Sequence, residues 1–211
     1  KEELKSFECS LDNSEFASCT TPFSLHKLTD STHSFKVRAV DNSGNRDNSP
    51  ELFAWRVDTT PPSSSITRAT DGNNKTMTAG GDTTSSSMTF AFSGNDTDGV
   101  GIDRFECSID GASFATCNSP VQFNSLPDGS HTVQVRSQDR VGNKDLSPAS
   151  FSWRVDTTAP TTKMDSATDG SKNAITNGGS TKSTSITFAY SGNDTGGVGI
   201  NHFSCSVDKS G

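Results

Sequence analysis

Short stretches of alternating apolar and polar residues recur along the whole chain. Alternation with a period of two places every second side chain on one face, so it predicts β-strands with one buried face. The strongest examples are residues 88–92, 105–109, 133–136 and 151–155, and weaker ones are residues 64–68, 113–117 and 121–125. Turn sequences such as Asp110-Gly111 separate them. Because no stretch has a helical period, the predicted fold class is all-β.

The chain repeats itself. Phe7-Glu8-Cys9-Ser10 returns at residues 105–108 and, with Ser204 in place of Glu, at residues 203–206. The offset is 98 residues each time, as from Cys9 to Cys107. This period predicts a complete repeat in 61–158, preceded by the C-terminal half of a repeat in 1–60 and followed by the N-terminal half of another in 159–211. Two origins for the half-repeats stay open: a cut through a longer array, or subunits that complete each other's domains.

About seven strands in one 98-residue repeat match the size and strand count of an immunoglobulin-like (Ig-like) sandwich. Three segments of the repeat resemble the Ig-like tandem repeats of prokaryotic (bacterial or archaeal) surface proteins. They are Phe105-Glu106-Cys107-Ser108-Ile109-Asp110-Gly111, Asp139-Arg140-Val141-Gly142-Asn143 and the closing Trp153-Arg154-Val155-Asp156-Thr157-Thr158-Ala159-Pro160. The resemblance implies tandem β-sandwiches outside the cell, at the cell surface, of the kind found in adhesins, filaments and stalks.

The composition argues against two classes of partner, nucleic acid and the membrane interior. Its net charge is −7, and 18 scattered Lys and Arg stand against 25 Asp and Glu, so no basic patch for nucleic acid is expected. No apolar run approaches the roughly 18 residues of a membrane-spanning helix, so no membrane insertion of this segment is expected. The expected partners are other copies of the chain, further repeats of it, or a host or neighbouring cell surface.

The cysteines recur with a fixed spacing. Cys9 and Cys19 are ten residues apart, as are Cys107 and Cys117, whereas Cys205 has no counterpart ten residues later. The simplest interpretation is one disulfide per repeat, which implies an oxidising compartment. A zinc site or a redox-active pair stays open as an alternative, although zinc usually takes four closely spaced ligands.

Acidic residues cluster in the loops that an Ig-like topology places at one end, where one repeat meets the next. Calcium binds about six to eight oxygen ligands, and carboxylates suit it, so a structural calcium ion is a candidate cofactor for each joint. The candidate ligands are Asp58, Asp96, Asp98, Asp139, Asn143, Asp156 and Asp194. Turns without metal are the competing interpretation, because Asp and Gly stabilise such loops on their own.

Three Asn-x-Thr triplets fit the acceptor pattern for N-glycosylation. They begin at Asn74, Asn95 and Asn193. Sugar and calcium would compete for the Asn95 loop.

Nothing in the sequence predicts an enzyme. The motifs of serine hydrolases, zinc proteases and phosphate-binding loops are absent, and the recurring His33 and His131 lie in no motif that supplies a carboxylate or nucleophile. The function predicted is therefore a structural extracellular repeat protein that forms a surface filament, stalk or adhesin shaft. The alternatives are a fibre joined by strand donation between subunits, and a carbohydrate- or surface-binding or accessory module of a larger secreted protein.

Overall fold

The computed structural model describes residues 4–207, and within them the chain forms fourteen β-strands and no helix. The strands are β1 (Leu4–Leu11), β2 (Ala17–Cys19), β3 (Ser31–Asp41), β4 (Glu51–Val57), β5 (Ser63–Asp71), β6 (Asp82–Thr83), β7 (Met88–Asn95), β8 (Ile102–Ile109), β9 (Ala115–Cys117), β10 (Val121–Phe123), β11 (Gly129–Asp139), β12 (Ala149–Val155), β13 (Thr161–Asp169) and β14 (Ile186–Asn193). The predicted all-β class is confirmed.

The strands form four sheets. Their orders are β2-β1-β3-β4, β10-β7-β5, β6-β12-β11-β8-β9 and β13-β14. Neighbouring strands such as β1 and β3 or β13 and β14 pair antiparallel, whereas β6 lies parallel to β12. The second and third sheets belong to the middle copy of the repeat and face each other as a sandwich.

All seven predicted strands of the middle copy are present, with ends shifted by a few residues. The structure adds β6, which has only two residues and so offers no alternation to detect. Strand β6 follows the Gly80-Gly81 turn, whose amide and carbonyl groups already bond to β12: Gly80 N–H donates to Ser152 O over 2.7 Å, and Arg154 N–H donates to Gly81 O over 3.0 Å.

The chain divides into two compact units. The first comprises Lys1–Ser65, Gly94–Glu106 and Val135–Pro148, and contains the sheet β2-β1-β3-β4. The second comprises Ile66–Ser93, Cys107–Gln134 and Ala149–Gly211, and contains the pair β13-β14. These units do not follow the repeat boundaries, and the division into 1–60, 61–158 and 159–211 stays a prediction from the repeat period.

The best-packed core lies in the second unit, around Phe90. The Phe90 ring is 5.2 Å from the Trp153 ring and 5.5 Å from the Phe151 ring, centroid to centroid, and meets Phe123 at 6.2 Å. Burying aromatic rings against each other contributes both apolar burial and favourable edge-to-face contacts. Met88 and Val133 are fully buried in the same unit. A few large side chains therefore supply the core of a chain that is only 29% apolar.

Candidate functional site

The candidate site lies in the first unit, where three chain segments meet. Asp58 follows β4 in the linker, Asp96 begins the loop after β7, and Asp139 ends β11. One carboxylate oxygen of each lies within 4.8 Å of the others. The structure therefore brings together three of the seven predicted calcium ligands.

Asp139 is held by its own turn. Its Oδ1 accepts N–H groups of Val141, Gly142 and Asn143 at 3.0, 2.7 and 2.8 Å. This turn needs the left-handed backbone of Gly142, whose φ is 101°. The Asn143 side-chain amide donates to Asp139 Oδ2 over 2.8 Å and to the carbonyl oxygen of Asp58 over 3.1 Å. Asn143 thus positions two of the acids and directs its amide hydrogens, rather than a free oxygen, towards them.

Asp58 and Asp96 both bond to the loop that follows β7. Asp58 Oδ2 accepts the N–H of Val100 over 2.8 Å, and Asp96 Oδ2 accepts the N–H of Gly101 over 2.6 Å. Asp96 Oδ1 is buried and has no hydrogen-bond partner within residues 4–207. A buried carboxylate oxygen without a partner is costly, and its place beside two other acids suits a cation.

Asp98 lies apart from this group. It is exposed, adopts a φ of 60°, and its carbonyl oxygen accepts a hydrogen bond from the Arg56 guanidinium. Its carboxylate is not one of the three that converge. Asp98 thus contributes to the loop through its backbone carbonyl group. The corresponding residue in the next copy is Gly196, which has no carboxylate.

The next joint repeats these contacts in the second unit. Asp156 Oδ2 accepts the N–H of Val198 over 2.8 Å, and Asp194 Oδ2 accepts the N–H of Gly199 over 2.7 Å. Asp194 Oδ1 is again buried without a partner in the described part of the chain. The position that corresponds to Asp139 would fall at 237, outside the 211 residues. Within residues 4–207, Asp156 and Asp194 are the counterparts of Asp58 and Asp96 at this joint.

The disulfide prediction is confirmed. Cys9 is bonded to Cys19 and Cys107 to Cys117, in both cases across the turn between two paired strands. Cys205 is a free, exposed thiol. Two structural disulfides indicate an oxidising, extracellular environment.

The three asparagines of the glycosylation triplets are exposed. Asn74 lies in a tight turn with a φ of 63°, whereas Asn95 and Asn193 end β7 and β14. Their modification stays a prediction.

Sequence reasoning missed the carboxylate partners of the recurring histidines, which lie 21 residues away and belong to no local motif. His131 Nδ1 lies 2.7 Å from Asp110 Oδ2, and its Nε2 lies 2.9 Å from the carbonyl oxygen of Pro127. His33 has the same pair of contacts, with Asp12 and Thr29. The sequence predicts Asp110 only as a turn residue, although an Asp at the same position of both copies, Asp12 and Asp110, is a usable signal.

Both histidines are buried between acceptors. Burial opposes the charge on His131, but the Pro127 carbonyl and the Asp110 carboxylate outweigh it and raise its pKa. Asp12 and the Thr29 carbonyl raise the pKa of His33 in the same way. Since a carboxylate and a carbonyl only accept hydrogen bonds, both ring nitrogens must carry hydrogen to satisfy them. These groups are structural braces and leave no ring nitrogen free for catalysis.

A second missed group is the charge cluster on β8 and β11. The Glu106 carboxylate lies 2.7 Å from Arg136 Nη2 and 3.0 Å from Lys144 Nζ. Burial opposes its ionisation, but the hydrogen bonds from Lys144 and Arg136 outweigh that cost and lower the pKa of Glu106. Glu8 in the preceding copy is paired with Arg38 and Arg46. The cluster crosslinks strands and does not form a pocket.

Comparison with known proteins finds one family model that matches part of this chain. Residues 118–192 match the family model of the bacterial Ig-like domain (group 3), a stretch that runs through the linker at Thr157–Pro160 into the next copy. No curated protein matches the chain. No helix within residues 4–207 is long and apolar enough to cross a membrane.

Several solved structures are similar at low identity. Fibronectin(III)-like modules of Clostridium thermocellum CbhA are 18% identical, with a TM-score of 0.39, over 74% of this chain and 80% of theirs. The extracellular domain of the hybrid two-component system BT3049 from B. thetaiotaomicron is 13% identical, with a TM-score of 0.41, over 68% of this chain and 28% of its own. A tetra-tandem repeat in the extending region of a large adhesion protein is 14% identical, with a TM-score of 0.31, over 93% of this chain and 58% of its own.

The family match covers one stretch of a chain whose copies share their motifs, and the described residues form the all-β sandwich that the family name implies. Residues 118–192 of this chain are therefore similar to a bacterial Ig-like domain.

Proposed function

We propose that the chain is a structural segment of an extracellular filament, stalk or adhesin shaft, in which Ig-like repeats are joined end to end by bonded linkers. The observation that carries the proposal is that both joints make the same contacts. The linker carboxylate accepts an N–H from the following repeat at Val100 in one joint and at Val198 in the other, at 2.8 Å each. A joint with fixed contacts transmits direction from one repeat to the next, which is what a shaft requires.

A second set of bonds ties each linker to the repeat before it. Asp128 accepts the N–H and hydroxyl of Thr157 at 2.9 and 2.8 Å and the hydroxyl of Thr158 at 2.7 Å. Asp30 holds Thr59 and Thr60 in the same manner. Because the linker is hydrogen-bonded on both sides and ends in proline, it is a short, stiff connection rather than a free tether.

Electron microscopy of the native material tests the shaft. Threads with an axial repeat of roughly 35–45 Å, about the length of one sandwich from the strand rise, are the expected result. Compact particles with a short tail would overturn it and favour the alternative, an accessory or binding module of a larger secreted protein.

Calcium at the joint is the second part of the proposal. Asp58, Asp96 and Asp139 place three carboxylate oxygens within 4.8 Å of one another, and Asp96 Oδ1 is buried with no partner among the residues that the structure describes. A divalent ion there would remove the mutual repulsion of three negative charges and bind the linker to both loops at once. Backbone carbonyls and water would complete the oxygen ligands that calcium takes.

Asp96→Asn tests this site against Asp98→Asn, which removes the same charge from the same loop but outside the group of three. We expect wild type and Asp98→Asn to melt at a higher temperature in calcium than in a chelator, and Asp96→Asn to lose that shift. A ligand at 100 times its Kd stabilises the folded state by about 2.7 kcal/mol. No heat of binding at calcium concentrations of about 1 mM, the weak end of known extracellular sites, would refute the calcium site and leave the shaft proposal intact.

A further inference from the structure

The last strand of two successive copies carries an arginine that bonds to the copy that follows. Arg56 in β4 and Arg154 in β12 occupy the same position of the repeat, 98 residues apart. The Arg56 guanidinium donates to the carbonyl oxygen of Asp98. Arg154 Nη2 donates to the carbonyl oxygens of Gly196 and Gly197, each over 2.9 Å. The same contact therefore occurs at both joints, and each instance lies within one compact unit.

The acceptors belong to a turn that has the same backbone at both joints. We call residues 96–99 and 194–197 the joint turns. In each of them the N–H of the fourth residue donates to the carbonyl oxygen of the first over 3.2 Å, Gly99 to Asp96 and Gly197 to Asp194. The third residue has a positive φ, 60° at Asp98 and 86° at its glycine counterpart. Because the arginine bonds to main-chain oxygens, the contact persists although the side chain of this third residue changes between copies.

The joint turn also determines where the acid of the joint lies. Asp96 begins the first joint turn, and its Oδ2 accepts the N–H of Gly101 over 2.6 Å. A Cβ atom at Gly99 would clash with the Asp96 carboxylate, and one at Gly197 would clash with the Asp194 carboxylate. Since the turn closes so tightly on its own acid, a bond that fixes the turn also fixes the carboxylate.

On its other side, each arginine lies near the aspartate that holds its own linker. Hydrogen bonds from the two linker threonines lower the pKa of Asp128, and the positive charge of Arg154 lowers it further. The linker threonines and the charge of Arg56 lower the pKa of Asp30 in the same way. Each guanidinium is therefore associated with an acid of its own repeat and with carbonyl oxygens of the next one.

A guanidinium suits a contact of this kind. It stays charged at all ordinary pH values, and its planar group carries several N–H donors and no acceptor. Hydrogen bonds from a charged donor are stronger than those between neutral groups. Main-chain carbonyl oxygens are available in every copy that forms the turn, so the contact tolerates sequence differences between copies.

We propose that Arg56 and Arg154 are the positioning residues of the two joints. Each holds the joint turn of the following repeat through main-chain carbonyl oxygens, and so orders the loop that presents Asp96 or Asp194 whether or not a metal ion is bound. The partner that this arginine fits is any repeat that forms the same turn, whatever side chain stands at the third position. The inference rests on the proposed function only in that it concerns the same joints, and it does not require calcium.

Amide hydrogen exchange of the full 211-residue chain, measured residue by residue by NMR in excess chelator, tests this proposal. The reporters are the N–H groups that bond to the joint carboxylates, namely Val100 and Gly101 at the first joint and Val198 and Gly199 at the second. We expect Arg56→Met to make the first pair exchange at least about tenfold faster, because a charge-assisted hydrogen bond to the turn is lost. Arg154→Met should have the same effect on the second pair.

The chain supplies its own matched controls. Each arginine variant should leave the reporters of the other joint unchanged. Amides of β11, which lies inside its sheet, report on the fold of the repeat as a whole. Asp98→Gly gives the first joint turn the residue of the second, and should leave the exchange of Val100 and Gly101 within about twofold of the parent.

Unchanged exchange at the reporters of both arginine variants would overturn the proposal. An Asp98→Gly variant that exchanges as fast as Arg56→Met would also overturn it, because the side chain rather than the carbonyl oxygen would then hold the turn. Faster exchange that spreads equally to β11 would assign the arginines to the stability of the repeat instead.

The same measurement in calcium separates this proposal from the calcium site. Reporters that exchange no more slowly in calcium than in chelator would refute the calcium site and leave the arginine contact intact. Protection that appears in the parent only when calcium is added would refute the arginine contact, because the metal alone would then order the loop.

Discussion

At the scale of single residues, the repeated histidines act as braces between two acceptors. His131 joins the Asp110 turn to the Pro127 carbonyl, and its ring packs at a tilt of 34° against Trp153, 5.5 Å away between ring centroids. The sequence makes the recurrence visible but not the partners, because Asp110 is 21 residues away and only strand pairing brings it near. The same residue type at one position of two copies predicts that both residues have the same role. It does not show which residue each one contacts.

The pH dependence of stability should reveal this brace. The fold raises the pKa of His131 above its value in the unfolded chain. The protonated ring therefore contributes fully to the free energy of unfolding below about pH 6.5, and this contribution is lost as the pH rises through the folded-state pKa. We expect His131→Gln to lower the melting temperature more at about pH 5.5 than at about pH 8.5. His26→Gln changes an exposed histidine and serves as the control. An equal loss at both pH values for His131→Gln would contradict an imidazolium at this position.

At the scale of strands and turns, alternation identifies the elements and neighbours decide whether they form. Residues 201–207 form no strand, although their counterparts in the middle copy belong to β8. In the middle copy β8 lies between β11 and β9, and the third copy stops before either counterpart. Alternation shows which side chains would lie on the same face of a strand. A strand forms only when its backbone N–H and C=O groups also find hydrogen-bond partners on a neighbouring strand. This is why alternation predicts the seven strands of the complete copy but does not by itself make a strand of residues 201–207.

The disulfide of each copy fixes a short strand to the strand that carries the Phe-x-Cys motif. In the middle copy it joins β9 to β8. Replacing Cys107 and Cys117 together by Ala should lower the free energy of unfolding by about 2–3 kcal/mol, because a loop of ten residues no longer restricts the unfolded chain. Urea unfolding followed by Trp153, which is buried, measures the change. Cys205→Ser removes a thiol that closes no loop and should leave the unfolding free energy unchanged. A loss below about 0.5 kcal/mol for the double variant would show that strand pairing alone holds β9 in place.

At the scale of the whole molecule, periodicity carries most of what the sequence predicts. The 98-residue offset, the alternation and the paired cysteines are sufficient for the all-β class, the strands and both disulfides. The candidate calcium group is partly predictable: loops at one end bring Asp58, Asp96 and Asp139 together, but the position of Asp98 depends on a backbone turn that residue type does not specify.

The hydrogen bonds of the linker also affect its susceptibility to proteases. An endoprotease must take its substrate as an extended segment, and exposed polar connections between domains are its usual targets. The amides and hydroxyls of Thr157 and Thr158 are engaged by Asp128 and Asp156, and a proline follows two residues later. Cleavage between repeats therefore has to wait for the linker to detach, so its rate follows the local opening equilibrium rather than the accessibility of the peptide bond. In a medium that contains secreted proteases, the hydrogen bonds that Asp128 and Asp156 make to the linker would set the lifetime of the joint.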